Sequence, residues 1–185
     1  MKATGIVRRI DDLGRVVIPK EIRRTMRIRE GDPLEIYTDR EGEVIFKKYS
    51  PIGELSSFAA QYAETLYRSC GMAVIIGDRD IVIASAGVSK KEYGDKSLSE
   101  ALEHMMESRG MYQWKDGVEK ISALADGGSH FVSCAMPIIS EGDVVGCVAS
   151  LVSNEEGRGK DALNSEVESK LILTAAGFLG RQLEG

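Results

Sequence analysis

The sequence predicts an α+β protein of two domains, a small β-rich unit and a larger unit with one antiparallel sheet flanked by helices. Short β-branched runs between glycine turns fill residues 1–49, and striped helical segments alternate with strands thereafter. The balance of charge also changes at this position. Residues 1–49 hold 12 basic and 9 acidic side chains, and residues 50–185 hold 12 basic and 20 acidic ones. Pro51 disfavours a helix or strand at the residue before it. We therefore expect domains at 1–50 and 51–185.

Composition narrows the class of protein. The chain has 185 residues, 43% hydrophobic and 29% charged, which is too apolar for disorder. No apolar run approaches the roughly 20 residues that cross a bilayer, and the start of the chain has no hydrophobic signal region. Three cysteines without CxxC spacing and two histidines without ligand-spaced partners predict no metal site. We expect a cytoplasmic protein with no cofactor and no membrane partner.

The sequence of the first unit predicts four short strands and one short helix. Runs of β-branched residues mark the strands, and Asp11 to Gly14 form the first turn, where the glycine tolerates a positive φ. Pro19 pre-sets φ for a first helical position, so a helix should follow it. The predicted strands are 5–10, 15–18, 34–37 and 43–47, and the predicted helix is 20–26.

This unit is too small to fold as a single chain. A domain of about 60 residues already buries only roughly 60% of the surface of its unfolded chain. Two chains should therefore share one core, most simply by interleaving hairpins in a two-fold dimer. Such a dimer would place two equal sets of basic side chains on one face, which suits double-stranded DNA.

Basic side chains are concentrated at the start of the chain. Residues 1–29 contain nine of them against three acidic ones, in a protein of net charge −5. A local positive field on an acidic molecule is expected where one part must bind a polyanion. On the predicted helix Arg23, Arg24 and Arg27 lie close together, and arginine suits bidentate contact to phosphate and guanine. A lone arginine would indicate only a solvated surface, but the set predicts nucleic-acid binding.

Residues 4–49 read TGIVRRIDDLGRVVIPKEIRRTMRIREGDPLEIYTDREGEVIFKKY. With its LGRVVIP turn and strand and its EIRR helix, this segment resembles the DNA-binding domain of the AbrB family of bacterial transition-state regulators. The resemblance implies a swapped-hairpin β-barrel dimer. Its DNA-contacting surface would be formed by four arginines, Arg8, Arg15, Arg23 and Arg24. We rank Arg9 below these four, and expect the two lysines to be nonspecific phosphate partners. The predicted DNA-binding residues are thus Arg8, Arg15, Arg23, Arg24, Arg9, Lys2 and Lys20.

The second unit predicts helices at both ends of a strand-rich segment. Apolar residues at 3-4 spacing mark a helix over 52–68, and a second helix should start at Ser97 with Glu100 as a capping box. A third helix is expected over 164–183, with an inward face of Val167, Leu171, Ala175, Phe178 and Leu179. The predicted strands are 72–76, 80–84, 112–114, 119–124, 131–139 and 144–152.

This order of elements, with PIISEGDVVGCVAS as a late hairpin, resembles a GAF domain. An AbrB-like domain joined to a GAF-like one is similar to the sporulation regulators of endospore-forming Gram-positive bacteria. The resemblance implies an activator and repressor of sporulation genes that works on the forespore nucleoid, as a tetramer of two swapped dimers joined through the GAF-like domains. The stripe from Ile52 to Leu66 fits either a helical bundle in that role or packing within the domain.

GAF domains often hold a small molecule, so binding of a small-molecule ligand by the second unit is an alternative that the sequence leaves open. No residue pattern specifies one. The polar side chains of the predicted covering loops are expected to be solvated surface: Lys90, Lys91, Asp116, Asp126, Ser129 and His130. Cys134 and Cys147 are expected to be buried core residues.

Two other classes of function compete with the regulator. Some GAF-type proteins reduce free methionine sulfoxide with cysteine, but Cys134 and Cys147 here are predicted in mid-strand. The sequence also lacks the GxxxxGK[ST] and HExxH motifs, so we expect no enzyme. An antitoxin is the other alternative, because swapped-hairpin domains also occur in toxin–antitoxin pairs. A short flexible tail usually follows the DNA-binding unit there, whereas more than a hundred patterned residues follow here.

Overall fold

The computed structural model describes residues 4–155, 159 and 163–184. The chain divides into two compact units, Met1–Tyr49 and Ser50–Gly185. No helix in the described part of the chain is long and apolar enough to cross a bilayer.

The first unit contains one helix and one hairpin. Pro19 is the N-cap, at φ −57°, and the helix begins at Lys20, the residue where the sequence predicted its start. The hairpin strands pair antiparallel, with Ile36 opposite Phe46. The elements are α1 Lys20–Thr25, β1 Leu34–Thr38 and β2 Val44–Lys48.

Residues 4–18 form no strand in the single chain, which differs from the strands predicted over 5–10 and 15–18. A strand is defined by the neighbour with which it pairs, and no described residue of the same chain pairs with this segment as a strand. The turn between the two runs is formed, since the Gly14 N–H donates to the Asp11 carbonyl at 3.0 Å. Large apolar side chains are left exposed here: Val7 is 85%, Leu13 70%, Val17 70% and Ile10 69% exposed.

The second unit is built on one five-stranded antiparallel sheet. The long central hairpin turns through Glu141 and Gly142, both at positive φ, the turn geometry that matches strand twist. The strands are β3 Val74–Gly77, β4 Val82–Ala86, β5 Tyr112–Gln113, β6 His130–Ser140 and β7 Asp143–Ser153. They lie in the sheet in the order β4-β3-β7-β6-β5.

Helices cover both faces of this sheet. Alternate residues of β3 point to opposite faces, so Val74 and Ile76 pack on the side of the first and last helices of the unit, whereas Ile75 packs on the other side. This arrangement is the α+β sheet with flanking helices that the sequence predicted. The helices are α2 Pro51–Glu54, α3 Ser56–Cys70, α4 Lys90–Tyr93, α5 Glu100–Ser108 and α6 Ser165–Gln182.

Three local predictions need correction. The first helix of the unit is interrupted at Leu55, and α2 is a short separate turn. The cap of α5 is Ser99, whose hydroxyl accepts from the Leu102 N–H, because Ser97 is already paired with Ile81 in an isolated bridge. The predicted strand over 119–124 contributes only isolated bridges at two positions.

The buried face of α6 is also shifted from the predicted one. Val167 and Phe178 are 45% and 40% exposed, whereas Ile172, Ala175 and Leu179 are buried. Gly180 explains the rotation, because a β-carbon at this position would overlap the carbonyl oxygen of Ile139 on β6. The glycine lets the helix backbone approach the strand closely, and the residues beside it become the core.

The two cysteines of the central hairpin are buried, as predicted. Cys134 and Cys147 are 0% exposed. Burial, followed by the nearby Asp78 carboxylate, raises the pKa of the Cys147 thiol to about 12. Since the thiolate is the reactive form, Cys147 is not a nucleophile near neutral pH.

Candidate nucleic-acid interface

The predicted DNA-binding residues of the described chain are all exposed and all lie in the first unit. They occupy three places: the extended segment before the first turn, the residue that follows this turn, and helix α1. Lys2 lies outside the described residues. The positions are Arg8 and Arg9 in the segment, Arg15 after the turn, and Lys20, Arg23 and Arg24 on α1.

Helix α1 presents its cations for reasons that are local to the sequence. Pro19 is buried at the N-cap and Ile22 is half-buried, so one side of this short helix faces the rest of the unit. Arg23 and Arg24 lie in its last turn and are exposed. Cations are favourable at a helix C-terminus, where the backbone carbonyls carry partial negative charge. The helix ends at Thr25 with Met26 as its C-cap, and Arg27 follows at φ +50°.

A brace from the hairpin holds the chain where it leaves α1. The Lys48 ammonium on β2 donates to the Arg27 carbonyl at 2.9 Å and lies 3.6 Å from Asp32 Oδ2. Asp32 in turn accepts from the Arg29 backbone N–H at 2.8 Å, and its side chain is only 3% exposed. The brace therefore sets where the arginine helix sits relative to the hairpin. Sequence reasoning missed both Asp32 and Lys48.

The turn before Arg15 carries a second contact that sequence reasoning missed. Asp11 Oδ2 accepts from Arg15 Nε at 2.8 Å, and Asp11 Oδ1 accepts from the Arg15 backbone N–H at 2.8 Å. These two bonds, the backbone one first, hold the pKa of the Asp11 carboxyl below its ordinary value. Asp11 is thus ionised around neutral pH, and one of the predicted DNA-binding arginines is paired with it in the free protein.

The polar loop residues of the second unit serve local structure. The Ser129 N–H donates to Glu92 Oε1 at 2.7 Å, and the Ser129 hydroxyl lies 2.8 Å from His130 Nδ1. These contacts join the segment before β6 to α4, while Asp116 and Asp126 are exposed. Among the described residues no group of histidine, cysteine and acidic side chains has the arrangement of a metal site.

One open groove lies on the second unit, beside the edge strand β4. Its volume is about 810 Å³, and α3, β4 and the α4 region line it. Lys90, Arg68 and Glu64 contribute to the lining, and Arg68 Nε donates to Glu64 at 2.7 Å. Lys91 is exposed outside the lining.

Two protein families match the chain. The C-terminal region of stage V sporulation protein T, described as a transcription factor, matches residues 54–184. The antidote-toxin recognition protein MazE, a bacterial antitoxin, matches residues 7–53. The two matches thus meet close to the division between the two compact units.

Individual relatives agree with these families. Stage V sporulation protein T of Bacillus subtilis (strain 168) is 55% identical over 187 residues, which covers 100% of this chain and 99% of that protein. Transition state regulatory protein AbrB of the same organism is 65% identical over 51 residues, 28% of this chain and 52% of that protein. A crystal structure of a methyl-accepting chemotaxis protein, residues 122 to 287, covers 70% of this chain and 88% of that one at TM-score 0.50 and 17% identity. This last likeness shows only the fold of the second unit.

The full-length identity and the family match over residues 54–184 agree with the exposed arginines of the first unit and the flanked sheet of the second. The chain belongs to the stage V sporulation protein T family: it is a transcription factor that regulates sporulation, with an AbrB-like DNA-binding domain followed by the C-terminal domain of that family.

Proposed function

We propose that the protein binds double-stranded DNA as a dimer of its first domain, residues 1–50, and both activates and represses sporulation genes. The arginines at positions 8, 15, 23 and 24 contact the DNA, and Arg9, Lys20 and Lys2 add phosphate contacts. The observation that carries the proposal is the exposure of all described members of this set on one unit, in which Asp11 bonds to Arg15 and Lys48 bonds to the chain just after α1. Backbone and shape contacts supply most of the binding, with some groove contacts.

The exposed apolar surface of the first unit supports the dimer. Val7, Ile10 and Val17 are each at least 69% exposed in one chain, and Ile36 on β1 is 63% exposed. Apolar surface of this extent marks an interaction site. A second copy that pairs its 5–10 and 15–18 segments with those of the first would cover these side chains and complete the strands.

Salt dependence tests the DNA contacts directly. Each phosphate neutralised contributes a slope of about −0.9 to the plot of log affinity against log salt. Four arginines in each of two chains would give a slope of about −7. Fluorescence anisotropy of a labelled duplex with the full-length protein measures this slope. A protein with Arg15→Ala and Arg23→Ala together should lose tight binding, and affinity that does not change with salt would contradict the proposal.

We propose that the second domain, residues 51–185, joins two dimers into a tetramer and serves as the site of signal sensing. Three aromatic rings contact one another along α3 and α6, with centroids 5.6 Å apart for Tyr62 and Phe178 and 5.8 Å apart for Phe58 and Phe178. Phe178 is 40% exposed, and Val167 on the same helix is 45% exposed. This half-open aromatic seam is the helical face that a second domain would cover.

Charge placed in the seam should therefore break the tetramer. Tyr62→Glu together with Phe178→Glu is expected to shift the sedimentation coefficient from that of a tetramer to that of a dimer, because a carboxylate cannot be desolvated there without a partner. Ser57→Glu, an exposed change on the same helix as Tyr62, is the matched control and should leave the assembly intact. Equal sedimentation of the two variants would contradict the seam as the contact.

The two competing functions have less support. The antitoxin family matches only residues 7–53, and residues 54–184 match a transcription factor. We propose that the protein is not an enzyme, since two of its three cysteines are fully buried and Cys147 stays protonated. We also propose that it acts on the nucleoid in the cytoplasm of the forespore.

A further inference from the structure

The turn at residues 11–14 is closed almost entirely by atoms of one residue, Asp11. Its backbone N–H donates to the Arg15 carbonyl at 3.1 Å, and its own carbonyl accepts from the Gly14 N–H at 3.0 Å. Its Oδ1 accepts from the backbone N–H groups of Leu13, at 3.1 Å, and Arg15, at 2.8 Å. An aspartate that bonds to the backbone two residues on is a recognised way to build a turn.

The other carboxylate oxygen has a different partner. Asp11 Oδ2 accepts from Arg15 Nε at 2.8 Å, which occupies one of the five donors of the guanidinium. In the described parts of the chain this guanidinium has no second hydrogen bond, and the Arg15 side chain is 70% exposed. The Nε end of the group is therefore held, and its two terminal nitrogens remain available to a ligand.

We propose that Asp11 is a positioning residue for DNA binding, which holds the Arg15 guanidinium so that its terminal nitrogens meet the phosphate backbone. The inference rests on the proposed function, because it needs DNA as the partner of Arg15. An arginine that is already ordered loses less conformational freedom when it binds, so affinity rises. The geometry also explains why an acidic residue lies among cations on this face.

The inference makes a prediction opposite in sign to simple electrostatics. A carboxylate on a DNA-binding face repels phosphate, so its removal alone should strengthen binding. If Asp11 orients Arg15, its removal should weaken binding instead. Asp12 is the matched control, because it is the neighbouring exposed acid and no contact among the described residues joins it to an arginine.

The test compares Asp11→Asn with Asp12→Asn in the full-length protein. Both changes remove one negative charge per chain. The asparagine side chain introduced by Asp11→Asn keeps an oxygen for the two backbone bonds of the turn, but its amide nitrogen cannot accept from Arg15 Nε. The readout is affinity for a fluorescein-labelled DNA duplex of mixed sequence and about 30 base pairs, measured by anisotropy across salt concentrations.

We expect Asp12→Asn to raise affinity about twofold at low salt, with the gain fading as salt screens it. Asp11→Asn should lower affinity about three- to tenfold, and the loss should persist at high salt, because it reflects side-chain ordering. In an Arg15→Ala background the loss should disappear, and Asp11→Asn should behave like Asp12→Asn.

Two results would overturn the inference while leaving the proposed function intact. One is a gain in affinity for Asp11→Asn equal to that for Asp12→Asn. The other is a loss of the same size with and without Arg15, which would indicate collapse of the turn. Absence of salt-dependent DNA binding by the unsubstituted protein would overturn the proposed function and this inference together.

Discussion

Arg23→Ala and Arg24→Ala are each expected to lower DNA affinity about a hundredfold or more at physiological salt. Each change removes two contacts from the dimer, and a good bidentate arginine contact contributes about 1–3 kcal/mol. The fold should be unaffected, because both side chains are exposed and alanine is the stronger helix former. Anisotropy titrations with a labelled duplex measure the loss.

Arg40→Ala is the control for these two variants. Arg40 is exposed in the same unit, on the loop between β1 and β2, and is not among the predicted contacts. Its removal changes net charge equally and should cost only the modest, salt-sensitive effect of one distant charge. Affinity of both helix variants within the range of the Arg40 variant would refute the assignment of α1 as a DNA-contacting element.

Gly180→Ala is expected to destabilise the second unit by about 3 kcal/mol or more, more than a typical surface or core substitution. The added methyl group would overlap the Ile139 carbonyl oxygen and also lie 3.2 Å from its carbon, so α6 must move off β6. Two buried side chains of α6, Ile172 and Leu179, would lose their packing as the helix moves. The unfolding midpoint should fall by roughly 10 °C in a thermal melt of the full-length protein.

Gly177→Ala is the matched control on the same helix. Apart from the neighbouring backbone of α6 itself, no atom of the described residues lies within 4 Å of a β-carbon built there, and the position is exposed. Alanine should stabilise the helix by about 0.5–1 kcal/mol, because glycine loses more backbone freedom on folding. The two glycines should therefore shift the melting midpoint in opposite directions. If Gly180→Ala and Gly177→Ala had the same unfolding midpoint, the close approach of α6 to Ile139 would be absent.

Much of the fold could be predicted because its signals are local. The hairpin at 141–142, helix α1 after Pro19 and the strands β1 and β2 are set by turn residues and β-branched runs within a few positions. The α+β class followed from the order of those elements. The resemblance of the first unit to AbrB-like domains, and of the whole chain to the sporulation regulators, was confirmed by the family and full-length matches.

The sequence predictions were wrong where packing or strand pairing decided between two locally possible structures. Two serines could cap α5, and Ser99 does so because Ser97 pairs with Ile81. A strand over 5–10 needs a neighbour, and the described part of a single chain supplies none. Neither the capping serine nor the strand over 5–10 can be predicted from its own segment, because each depends on a residue elsewhere or on another chain.

The sequence by itself determined the charge asymmetry, the positions of the arginines and the order of the elements, because residue type and spacing along one segment are sufficient for each. Only the tertiary structure decided which face of α6 is buried and which groups hold the arginines. A 3-4 apolar pattern predicts that a helix has an inner face, but the close approach of Gly180 to Ile139 selects it. Lys48 reaches Arg27 across 21 positions, and Asp11 commits one oxygen to the turn and the other to Arg15. These contacts depend on how close two backbone segments lie in the folded chain. The spacing of residues along the sequence does not determine that separation.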